Sequence, residues 1–306
     1  MKKLIDFLGK CVPGKKLMLP VFIVLAILYI GTATWYSSIP DFPRYSRITD
    51  KKSWQDGSHP PEIRLVPTLI ELIDDELEHS WLPNDFLLSP TRVILDNRPN
   101  FQEGILVIIR HTTRILRDNL TRLRTTDEIN ADIGKAFSLV SNDHQQWIFP
   151  SFESRLEKTK RHLTRFHQDY NDNNPKASHI PRSDNLIQLI EQYVSELGNL
   201  NNKLLSMEIG FFESDNIFFK VQGTTYALYK ILQAVEFDFH HVLIKKQAHG
   251  LLNETILRLQ QCDFHPLLIV SGDRGSLLAN HLIQMAGITA DARQKLKSII
   301  VMLDKN

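Results

Sequence analysis

Leu186–Met207, LIQLIEQYVSELGNLNNKLLSM, is the stretch that decides the fold. Its residues Leu186, Ile190, Tyr193, Leu197, Leu200, Leu204 and Met207 advance by alternating steps of four and three. A half-buried strand would alternate every second residue. This spacing instead lays one apolar stripe along a helix, which needs another helix to cover it lengthwise. Ser183-Asp184, after Pro181, predicts where that helix opens, and Gly210 where it closes.

The same step recurs on either side. Phe152, Leu156, Thr159, Leu163, Phe166 and Tyr170 carry it upstream, and Leu228, Leu232, Val235, Phe239 and Val242 downstream. Three such seams predict an all-α helical bundle. An amphipathic segment over Phe101–Leu123 follows a turn at Asp96–Asn100, and Asn171–Pro181 reads as a polar loop. Ser271–Ser276 interrupts the pattern, and Gly287 is expected to separate a last helix over Ala290–Leu303. Phe211–Val221 is open between an extended segment and a helix end.

Further outward, the first 40 residues change character. Leu17–Pro40 contains no Asp, Glu, Lys or Arg. About 20 apolar residues at 1.5 Å each match the ~30 Å hydrocarbon layer of a bilayer. Lys2, Lys3, Lys10, Lys15 and Lys16 outweigh Asp6 in the head, which places the N-terminus on the cytoplasmic side. Trp35 and Tyr36 stand where interfacial aromatics belong, and Pro20 falls in the first turn, where a missing N–H costs little. The competing reading, a cleaved secretory signal, asks for a shorter apolar core and a clean A-x-A site. The expected organisation is a basic cytoplasmic head over 1–16, a transmembrane helix from Leu17 to Tyr36, a proline-punctuated linker over 37–63, and a periplasmic helical domain over 64–306.

Composition narrows the function classes. The chain has 306 residues, 42% of them hydrophobic, enough for one large core or two small ones, and a formal charge of +1. No basic excess speaks for nucleic acid. Cys11 and Cys262 fall on opposite sides of the expected span, so the exported part relies on packing rather than an internal disulfide.

Candidate chemistry is sparse. Arg110, Arg114, Arg117 and Arg124, spaced 4, 3 and 7, line one face of a helix and suit an acidic partner or an anionic surface such as lipid headgroups. The plainer reading pairs them internally with Glu71, Asp74, Asp75 and Glu78 of the preceding helix. Arg155, Lys158, Arg161 and Arg165 look like a solvated face. Glu236 and His240 lie one turn apart, with His241 adjacent and His249 further on, a weak metal-binding alternative. With no HExxH and no second Glu-x-x-His, no metal or other cofactor is expected. No G-x-S-x-G elbow marks a nucleophile, and the Ser271–Ser276 loop lacks the lysine of a phosphate-binding loop.

The stretch Leu95–Arg117, LDNRPNFQEGILVIIRHTTRILR, occurs in order with WLPND at Trp81–Asp85, RSDNL at Arg182–Leu186, LGNL at Leu197–Leu200 and YALY at Tyr226–Tyr229. Together these resemble the bacterial domain-of-unknown-function family 2333. The resemblance runs from about residue 60 onward. It implies a Gram-negative inner-membrane protein with one N-terminal span, and supplies no activity or functional residues. The combined expectation is an envelope protein whose helical domain meets the lipid bilayer and envelope proteins, with a second copy of itself as a further option. An envelope enzyme or metal-dependent factor centred on Glu236, His240 and His241 is the alternative.

Overall fold

A computed structural model describes residues 15–36, 38–45, 62–78, 80–84, 97–122, 124, 127–146, 149–206, 211–264 and 280–305. Its helices are α1 (Lys15–Tyr36), α2 (Leu65–Glu78), α3 (Asn97–Ile115), α4 (Ala131–Val140), α5 (Phe152–Asn171), α6 (Ser183–Leu204), α7 (Phe211–Asp238), α8 (His240–Lys245), α9 (His249–Gln260) and α10 (Asn280–Asp304). No strand occurs among the described residues. The fold is all-α.

Helix α7 is the axis of the bundle. Residues 221–232 are buried on every side, as expected of a helix whose apolar residues are not confined to one stripe. Its buried threonines return their hydroxyls to the helix itself, Thr225 to the Val221 carbonyl at 3.0 Å and Thr224 to that of Lys220 at 2.9 Å. Helix α3 packs most extensively on α7, while α2, α6 and α9 complete the sleeve. Outside it, α10 covers α6 and α9, and α5 lies between α2 and α4.

The α3–α7 crossing depends on two glycines. A Cβ on Gly223 would lie 1.9 Å from the Phe101 carbonyl oxygen, and one on Gly104 would lie 2.2 Å from that of Lys220. Backbone meets backbone here, so no side chain fits.

The seams are buried as the spacing predicts: Phe152 to Phe166 on α5, Leu186 to Leu204 on α6, and Leu228 to Val235 on α7 with Phe239 just past its end, while Tyr170 and Val242 are half-buried. Met207, Gly210 and the Ser271–Ser276 loop lie outside the described residues. Several boundaries differ from expectation. Residues 211–221 are helical, with Asn100 and Glu103 of α3 bonded to Asn216 and Lys220. Asn97–Asn100 already belong to α3, with Pro99 in its first turn, where the ring is tolerated. Helix α6 has Arg182 in the cap position the sequence assigns to Ser183. Gly287 sits inside α10: its cost of ~1 kcal/mol relative to alanine is small beside burial against α6 and α9. Helix α3 ends at Ile115 and widens into one π-helical turn, Leu116–Leu120.

The expected transmembrane segment falls on α1, whose side chains are described for residues 20–31. Among the described residues no helix is long and apolar enough to cross a membrane. The apolar residues of α1 are nevertheless exposed all round, from 41% at Tyr29 to 71% at Phe22.

The expected linker contains a docked strap. Arg98 donates to the Ser38 carbonyl at 3.4 Å, and Phe42, 5% exposed, wedges against Tyr226 and Tyr229 with ring centroids 5.3 and 5.5 Å away. The Tyr229 hydroxyl donates to the Pro43 carbonyl at 2.6 Å. Residues 38–45 therefore belong to the bundle, although prolines 40 and 43 make them read as a tether.

Candidate functional site at the end of helix α7

The sequence AVEFDFHHV, residues 234–242, alternates between two needs. Val235 and Phe239 continue the apolar seam, which forces Glu236 and Asp238 inward beside them, each 2% exposed. A buried carboxylate is costly unless hydrogen bonds replace its water, and both have partners. Asp238 accepts the backbone N–H groups of Arg64 at 2.7 Å and Leu65 at 3.1 Å, so its charge sits on the N-terminus of α2. The His179 Nε2 lies 3.4 Å from Asp238 Oδ2, and the Arg64 guanidinium covers the Phe237 ring at 3.9 Å.

Glu236 is held from two other elements. The strap's Tyr45 hydroxyl donates to Oε2 at 2.8 Å, and His249 Nε2, from α9, lies 3.0 Å from Oε1, which requires the Nε2–H tautomer. The break at Phe239 swings His240 onto α8, where its ring meets that of His249 at 5.1 Å and that of His241 at 6.2 Å. Burial, then the neighbouring His249 and His241, push the His240 pKa down to about 4. On α5, burial also lowers the pKa of His167, against the pull of Glu62 and Asp238.

The sequence places Glu236 and His240 one turn apart on one helix; the break at Phe239 instead puts them on α7 and α8, with His249 between the Glu236 carboxylate and the His240 ring. Tyr45 and His179 enter this cluster unforeseen, whereas Asp238 stands beside Glu236 and the histidines in the sequence itself; the aromatic residues near Pro43 were the available signal for Tyr45. Among the described residues no group of three or more His, Cys, Asp or Glu side chains is placed to hold a metal. The arrangement can hold and exchange protons. Cys262 does not add a nucleophile, since complete burial pushes its thiol up to about 12.

The arginines do not form one stripe. Arg110 donates to the Val140 and Asn142 carbonyls at 2.6 and 2.7 Å, and closes the end of α4 onto α3. Arg114 bonds Gln192 of α6. Arg117, in the π turn, grips Asp118 through two nitrogens at 2.6 and 2.9 Å and covers Phe137 at 4.0 Å. Arg124 lies beyond the turn, exposed, with its backbone N–H on Asp127 at 2.7 Å. The acidic face of α2 meets lysines instead: Lys230 bridges Glu71 at 2.8 Å and Asp75 at 3.1 Å, and Lys160 pairs with Asp74.

A family model described as "Uncharacterized protein conserved in bacteria (DUF2333)" matches residues 12–213 and 205–305. No curated protein and no solved structure matches the chain.

Proposed function

We propose, from the premise that this chain belongs to that uncharacterized bacterial family, that it is a single-pass inner-membrane protein whose helical domain stands in the periplasm and works by contact. Its partners are the bilayer and other envelope proteins. One observation carries this reading: Val21–Ile30 of α1 expose apolar side chains in every direction instead of presenting one face to the bundle. A helix with no polar side has no stable place in water, and a lipid environment satisfies it. The uncharged run from Leu17 to Pro40, the lysine-rich head and Trp35-Tyr36 support the same orientation. Confinement to a thin layer raises the domain's effective concentration toward membrane-bound partners. Arg110, Arg114 and Arg117 are engaged within the fold, so among the arginines contact with an acidic partner falls to the exposed Arg124.

Alkaline carbonate extraction of membranes from cells making the full chain tests the anchor, with the protein expected to stay in the pellet. A C-terminal alkaline-phosphatase fusion tests orientation and is expected to be active. Release into the supernatant defeats the anchor, and an expressed but inactive fusion reverses the topology.

A further inference from the structure

The strap fixes where α1 joins the bundle. It is clamped along its length: Arg98 donates to the Ser38 carbonyl at 3.4 Å, Tyr229 and Gln260 donate to that of Pro43 at 2.6 and 3.3 Å, and Tyr45 reaches Glu236 at 2.8 Å and Asn253 at 3.2 Å. Arg98 is held in turn, since its guanidinium pairs with the Glu76 carboxylate at 3.1 Å and both side chains are buried. Helix α1 ends at Tyr36, two residues before Ser38, and two residues span about 7 Å at most. The end of α1 is therefore tied beside Arg98.

Arg98 belongs to one particular end of the bundle. Helix α3 starts there, bonded through Asn100 to Asn216 of α7 at 2.9 Å, and Leu200 and Lys203 from the last turns of α6 line a hollow with both asparagines. Trp81, just past α2, donates to the His144 carbonyl at 2.9 Å and packs on Phe152, while the His144 ring meets Glu103 of α3 at 3.3 Å, so the segment between them closes the same end. Two large apolar side chains stand exposed here, Phe149 at 97% and Leu205 at 54%. Ile244 and Val301 are exposed too, but they lie at the opposite end, where Lys246 bonds the Lys305 carbonyl. Asn216 and Glu236, twenty residues apart on α7, put about 30 Å between the two ends. Apolar exposure alone does not choose between them; the attachment of α1 does.

We propose that the end carrying Phe149 and Leu205 is seated on the bilayer, with these two side chains among the lipid headgroups, and that the Glu236–His249 end points away from it. Given α1 as the membrane anchor, a reading on which this orientation rests, a span leaving the hydrocarbon at Tyr36 brings Arg98 to the membrane surface. Too little chain is left over for the bundle to turn the other way. Taking Phe149 and Leu205 out of water then favours contact. Partners that are not embedded in lipid meet the carboxylate–histidine end, about 30 Å further out.

The full chain reconstituted in phosphatidylethanolamine–phosphatidylglycerol vesicles tests this. In a Cys11→Ser background, Phe149→Cys, Leu205→Cys, Ile244→Cys and Val301→Cys each carry one fluorophore. Cys262, buried and with its thiol pushed up to about 12, stays unlabelled. Flotation with the vesicles reads the anchor, and quenching by lipids bearing a headgroup nitroxide reads the orientation. Labels at 149 and 205 are expected to be quenched about threefold or more over those at 244 and 301, because ~30 Å separates the two ends. Floating protein with equal quenching at both ends, or with stronger quenching at 244 and 301, overturns the seating and leaves the anchor standing. A chain that does not float overturns both.

Discussion

Gly223 shows how much a single residue decides here. Adding one methyl group places a carbon within bonding range of the Phe101 carbonyl oxygen, so α3 and α7 must separate along their whole contact. Overpacking typically costs 1–3 kcal/mol, and since the obstacle is backbone, Gly223→Ala is expected at about 3 kcal/mol or more, read as a lower urea midpoint. Gly287 is the opposite case. A Cβ there would meet no described atom within 4 Å, so Gly287→Ala should stabilise by ~0.5–1 kcal/mol through helix propensity alone. Both are lone glycines in helical sequence, and nothing local distinguishes them; only the crossing does. Glu103 gives a pH-dependent example. Burial opposes its ionisation, but hydrogen bonds from His144 and Lys220, reinforced by their charges, prevail and lower its pKa from 4.5 to about 2. The folded state therefore binds fewer protons than the unfolded state between those values. The contribution is complete above 4.5 and disappears as pH falls toward 2. Glu103→Gln should lower the denaturation midpoint at pH 7, with the difference from the parent shrinking steadily from pH 4.5 to 3.

At the scale of elements, periodicity is legible because it is local, whereas ends and partners are not. The 3.5-residue step of α5, α6 and α7 needs only neighbouring side chains to be read, and its residues are the buried ones. Where α3 stops, by contrast, depends on Arg110 fastening α4 and on the loop at Ile180, whose N–H reaches back to the Leu120 carbonyl at 2.8 Å. No spacing of arginines along the chain reveals that the helix widens there and breaks their stripe. The cap of α2 is equally remote, since its carboxylate comes from Asp238, 173 positions away from Leu65. Asp238→Ala leaves two N–H groups at the start of α2 without that acceptor and removes the partner of His179. A loss of about 2–4 kcal/mol is expected, seen as a lower midpoint together with faster hydrogen exchange in the first turn of α2. Asp238→Asn should recover part of that loss, because an amide oxygen still caps one N–H.

For the whole molecule, the packed domain begins earlier than composition suggests. Polar residues and four prolines make 37–63 look like a tether, yet Phe42 and Tyr45 close the surface of α7 in the way an internal segment would. The expected anchor rests on charge and length alone, because a bilayer imposes those requirements on any sequence. The docking of the strap was not readable in that way, because a short aromatic pair acquires meaning only when a pocket between Tyr226 and Tyr229 exists to receive it. Two truncations separate these roles. A chain beginning at residue 38 keeps every strap contact to the bundle and should be soluble and fully folded. One beginning at residue 46 loses the burial of Phe42, worth about 3–5 kcal/mol by analogy with Phe→Ala, and uncovers Glu236. With roughly 2–4 °C per kcal/mol for domains of 150–250 residues, its thermal midpoint should fall by roughly 6–20 °C relative to the longer form. Equal midpoints for the two chains would mean that the strap merely rests on the bundle, and the boundary would return to the end of residue 63.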